Sequence, residues 1–116
     1  MSESQDDFQD FHDAVSKQTT HDDAGQQMKV ARTCLEMGMT DAAIQALGRA
    51  ADAPPHRFDA CATLGRLYRD RGEWTSAVQW FERAAGAPAP SAQDARALLD
   101  DLEAARAAER AQRAGD

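Results

Sequence analysis

The sequence predicts an all-α protein, a short solenoid of stacked antiparallel helical hairpins, and three observations carry the prediction. First, the chain matches itself when shifted by 34 residues: Gly38/Gly72, Ala43/Ala77, Gln45/Gln79, Arg49/Arg83, Ala50/Ala84 and Ala51/Ala85 coincide, as do Pro54/Pro88. A fixed period of this length marks repeated helical hairpins, because each unit has too little apolar surface to fold alone and must pack on a copy. Second, apolar residues recur at helical spacing through both copies. Third, glycines and prolines stand at the ends of the apolar stretches, where helices stop.

The elements follow in order. Residues 1–23 form an acidic N-terminal segment in which Phe8, Phe11, Ala14 and Val15 give one apolar stripe over about residues 5–18. This short helix is expected to cap the open end of the first repeat, with docking onto another chain as the alternative. Asp22 or Asp23 can accept from the free amides of the helix that follows. Repeat one spans 24–55. Its first helix, about 24–37, carries Met28, Val30, Ala31, Cys34, Leu35 and Met37 and stops at Gly38. Thr40 is the expected N-cap of its second helix, whose buried stripe is Ala43, Ile44, Leu47, Ala50 and Ala51, and Pro54-Pro55 prevents continuation.

Repeat two, 56–90, repeats the plan: Phe58, Cys61, Leu64, Gly65 and Tyr68, a turn at Gly72, then Ala77, Val78, Phe81 and Ala84. A Gly/Pro loop closes it. The last helix, 91–113, opens at Ser91 with Asp94 three residues on, a weaker form of the capping box. Ala95, Leu98, Leu99 and Leu102 share its apolar face, and Leu98 and Leu102 fall 34 residues after Leu64 and Tyr68. Arg106 stands where the third copy would need its turn glycine, so the helix runs on as a polar terminal cap, with fraying expected beyond Ala105.

Repeat two resembles the tetratricopeptide repeat (TPR) family. The family pattern W-x2-L-G-x2-Y, A-x3-F, P appears as Cys61, Leu64, Gly65, Tyr68, Ala77, Phe81 and Pro88/Pro90, with only the tryptophan replaced. Repeat one is more degenerate: Ala31, Cys34 and Leu47 take the places of the glycine, tyrosine and phenylalanine. Trp74 and Trp80 read as packing residues. The resemblance implies a non-catalytic interaction module, in which the first helix of each pair lines a concave groove for a peptide or helix of a partner. Transferred by register, the groove-lining residues are Met28, Arg32, Leu35 and Glu36 in repeat one, and Asp59, Ala62, Arg66, Arg69 and Asp70 in repeat two. Arg32 and Arg66 lie one period apart, and a guanidinium pairs with carboxylates bidentately, so the groove is expected to prefer an acidic segment. The competing reading of the same arginines is a solvated face with pairs to Glu36 and Asp70 at i+4. Chaperone-tail clamping of the family's kind is not expected, since it uses asparagines and the chain has none. The style of the N-terminal half also looks like TPR segments appended to large bacterial regulatory or scaffold proteins.

Other classes are argued down from composition. The net charge is −7, with six of those units in residues 1–24, so the chain repels phosphate at long range and nucleic acid is not an expected partner. No apolar run approaches a membrane span, and the acidic N-terminus is unlike a signal peptide, so the expected location is the cytoplasm. His12, His21 and His56 have no carboxylate or serine at a spacing that would assemble a triad or a metal site, and His56 is assigned to a post-proline turn. Cys34 and Cys61 fall at apolar helix positions and read as free thiols. Neither enzyme activity, cofactor nor metal is therefore expected. The alternative function is self-association, or docking within a larger scaffold, through the terminal helices, and a homo-oligomer is compatible with it.

Overall fold

A computed structural model describes residues 23–115; the helix expected over 5–18 lies outside the described residues. Five helices make up the rest: α1 (Asp23–Glu36), α2 (Thr40–Ala50), α3 (Pro54–Asp70), α4 (Trp74–Ala85) and α5 (Ala92–Gly115). Each packs on the next in sequence, and α1 also touches α3, so the helices build two stacked antiparallel hairpins with a fifth helix closing the second. No strand occurs among the described residues.

The two hairpin turns are copies of each other down to the hydrogen bonds. Gly38 and Gly72 both take φ +77, the left-handed conformation that side chains disfavour. In the first turn the Met39 amide donates to the Cys34 carbonyl (2.7 Å) and Gly38 to Leu35 (3.1 Å). In the second, Glu73 donates to Tyr68 and Gly72 to Arg69, both at 2.9 Å. Each is a Schellman motif, which satisfies the last helical carbonyls while reversing the chain. Asp41 at the start of α2 and Arg71 at the end of α3 are ion-paired, so one turn braces the neighbouring hairpin.

The core is built from small residues where helices cross and a few large ones between them. Ala43, Ala50, Ala77 and Ala84 are fully buried at corresponding places in the two repeats, and Phe81, Leu47, Leu64 and Cys61 are the largest enclosed side chains. Among the described glycines the tightest surroundings are at Gly65: a Cβ there would lie 2.5 Å from the Phe81 ring. That contact explains why glycine and phenylalanine occur together in repeat two. Trp74 and Trp80 are half-buried against the core, and the Arg83 guanidinium sits 4.8 Å over the Trp80 ring.

Several expectations are corrected. Thr40 is the first residue of α2 rather than its N-cap; Met39 holds the cap position and no side chain caps it. Helix α3 begins at Pro54, because proline's fixed φ and missing N–H suit the first turn, so His56 is helical and not in a turn. Val30 (48% exposed), Met37 (68%) and Leu99 (55%) belong to apolar stripes but face outward. Ile44 is only half-buried, while Ala46 is enclosed. The expected Ser91–Asp94 cap forms: Ser91 Oγ accepts from the Asp94 amide (3.1 Å) and donates to the Asp94 carboxylate (3.0 Å).

Candidate groove between the first helices of the repeats

Helices α1, α3 and α5 occupy the first-helix place of successive repeats, and a polar cleft lies between α3 and α5. Its volume is about 130 Å³. From α3 it takes Phe58, Asp59, Ala62 and Arg66; from α5 it takes Asp94, Ala97, Leu98 and Asp101. The α3 residues reach it because positions 58, 59, 62 and 66 recur at three- and four-residue steps on one helix face. Ala62 is small and buried, which lets α5 approach and forms the floor.

The polar side chains are held in place locally. Thr63 Oγ1 donates to the Asp59 carbonyl at 2.7 Å and accepts from the Arg66 guanidinium at 3.2 Å, which steers Arg66 along the helix. Arg69 bridges the two helices. Its guanidinium lies 3.6 Å from the Asp101 carboxylate and 3.4 Å from that of Asp70, with Arg69 and Asp101 each about one-third exposed. Phe58 also backs a second, apolar hollow of about 150 Å³ under the α4–α5 loop, lined with Ala87, Ala89, Leu98 and Leu99.

The nine residues assigned to the groove by register therefore divide into groups. Asp59, Ala62 and Arg66 are brought together in one cleft. Arg69 closes one end of it through Asp101, with Asp70 beside it. Met28, Arg32, Leu35 and Glu36 stand on α1 and outside that cleft; Met28 and Leu35 are half-buried against the core, and Arg32 and Glu36 are exposed. The i+4 pairs that competed with the groove reading do not form: among the described residues Arg32 and Arg66 make no ion pair with Glu36 or Asp70. The α5 contribution, Asp94, Ala97, Leu98 and Asp101, was missed by sequence reasoning that treated this helix as a cap. Its signal was the third occurrence of the period at Leu98 and Leu102.

The architecture and the comparison with known families agree. The tetratricopeptide repeat family model matches residues 34–99, more than half of the chain, and the chain belongs to the tetratricopeptide repeat family. That match begins inside α1 and ends inside α5. No curated protein and no solved structure matches the chain significantly. Repeats of this family are in general protein–protein interaction modules. No helix among the described residues is long and apolar enough to cross a membrane.

Proposed function

We propose that the chain is a non-catalytic interaction module that holds a peptide or helix of a partner protein along the face of α1, α3 and α5. The observation that carries this reading is the cleft in which Asp59, Ala62 and Arg66 stand together, on the helix where register had placed them. Arg66 has no carboxylate partner among the described residues, and Arg32 repeats it one period earlier, so two guanidinium groups are available to an acidic segment. Arg69 supports the site rather than binding, since Asp101 and Asp70 already engage it. Asp59 and Asp94 add carboxylates at the cleft, so the segment that fits best carries an acidic residue for the arginines with a basic residue beside it. A place within a larger scaffold protein is consistent with such a module.

Selection from a displayed library of random peptides tests this. The enriched sequences are expected to carry acidic residues, to shift the amide resonances of α1 and α3, and to bind less tightly as salt rises. Arg32→Glu combined with Arg66→Glu should abolish binding while leaving helicity and melting almost unchanged, because exposed charges contribute little to stability. Binding that survives the double reversal and high salt, with resonance shifts confined to other helices, would overturn the groove assignment.

A further inference from the structure

The 34-residue period places Val30, Leu64 and Leu98 at one position of three successive first helices. Leu64 is 0% exposed and Leu98 4%, yet Val30 is 48% exposed. The order of the helices accounts for the difference. Helix α5 is the last described helix and packs on α4, so what encloses Leu98 and, seven residues on, Ala105 comes before it in the chain. Helix α1 is the first described helix, and its neighbours α2 and α3 both come after it. Val30 and Met37 stand two periods before Leu98 and Ala105, on the face that a later first helix turns to the element preceding it. Thr33 lies between them and is exposed too, so positions i, i+3 and i+7 form one uncovered stripe along α1. The adjacent position behaves in the opposite way: Ala31 and Gly65 are buried while Leu99 is exposed, because it faces the helix that follows, and α5 has none among the described residues.

The chain that leads into α1 has the length and pattern to cover this stripe. With a helix over residues 5–18, residues 19–22 are the link to α1, longer than 51–53 between α2 and α3 and shorter than 86–91 between α4 and α5. Such a helix would be about 21 Å long at 1.5 Å per residue, and α1 is itself a helix of 14 residues. Phe8, Phe11 and Val15 repeat the i, i+3, i+7 steps of the stripe on α1. By the same helical spacing Asp6, Asp10 and Asp13 fall on the opposite side, and a polar outer face is what the end of a repeat array requires. We infer that residues 5–18 lie antiparallel on α1 as a helix, with Val15 against Val30 and Phe8 against Met37, in the place that α2 takes before α3 and α4 before α5. The array is then closed at this end, and neither a second copy nor a further repeat can stack on α1 while the segment is in place. The inference stands apart from the peptide-binding reading, because helical spacing puts Val30 on the side of α1 away from Arg32 and Leu35.

Nuclear Overhauser spectra of the full chain test it. The Val30 methyl groups should show contacts to Phe11 and Val15, and the Met37 methyl group to the Phe8 ring. Phe8→Ala combined with Phe11→Ala should lower the melting temperature by about 5 °C or more, with faster amide exchange along α1. Val30→Asp should lower melting in the full chain and have little further effect once both phenylalanines are gone, the non-additivity expected of groups in contact. Val30 and Met37 methyl groups without a contact to residues 5–18 overturn the inference, as do strictly additive effects of the variants. Contacts that appear only between differently labelled chains in a mixed sample assign the stripe to a second copy, and also overturn it.

Discussion

Phe81 and Gly65 pack directly against each other. The ring is fully buried, and the absent Cβ of Gly65 is what admits it. Phe81→Ala should cost about 3–5 kcal/mol in urea denaturation, since a large enclosed ring leaves a cavity that the helices cannot close. Gly65→Ala sets two effects against each other. Helix propensity favours alanine by about 1 kcal/mol, but the methyl group would meet the ring at 2.5 Å and overpacking costs about 1–3 kcal/mol. The clash is expected to win, and Gly65→Ala should cost less in the background of Phe81→Leu, where the ring is gone. Cys61 offers a second test at this scale. Burial pushes its thiol above the ordinary range, opposed by the Arg83 and Arg57 charges. With the folded value raised, stability is intact below the unfolded thiol's value and falls as pH climbs through the folded one. That alkaline decline should shrink in Cys61→Ala, and an alkylating reagent should modify half-exposed Cys34 before enclosed Cys61.

At the scale of the element, helix ends are fixed by a few local bonds. Ser91 caps α5 through the Asp94 amide, so Ser91→Ala should destabilise by about 0.5–2 kcal/mol. The loss should appear as faster amide exchange in the first turn of α5. The N-termini of α2, α3 and α4 have no side-chain cap, which explains why Thr40 could not be read as one from its residue type alone. Proline compensates at α3, and Arg57 ties the preceding loop by donating to the Ala51 and Asp52 carbonyls, each at 3.1 Å. Gly38 and Gly72 both need a left-handed residue, so alanine at either turn should cost about 1–2 kcal/mol.

Across the whole molecule, stability depends on each hairpin being covered by the next helix. Helix α5 buries Leu98, Leu102 and Ala105, and each leucine contributes about 1.5–3 kcal/mol. A chain ending at Pro90 loses that cover and also opens Phe58, so it should melt well below the parent or aggregate. A chain ending at Ala105 removes no buried residue and should keep the melting temperature of the dilute full chain. If both truncations melted alike, the stacking order α3–α4–α5 would be wrong.

By itself the sequence determined the all-α class, the 34-residue hairpin unit, the two glycine turns and the core position of Phe81. These are local or periodic properties: a left-handed turn needs glycine within a few residues of a helix end, and a repeat writes its contacts twice. Tertiary structure alone decided which side of each apolar stripe is covered. Val30, Met37 and Leu99 satisfy helical spacing as well as Ala31, Leu35 and Leu98 do, yet they face outward, because spacing defines a face and not the neighbour that meets it. The cleft between α3 and α5 shows the same division. Register placed Asp59, Ala62 and Arg66 on one helix face, but the carboxylates of Asp94 and Asp101 reach it only because α5 packs as the first helix of a third, unfinished repeat. Arg69 likewise bridges to Asp101, 32 residues away, a contact made between helices that no local pattern encodes.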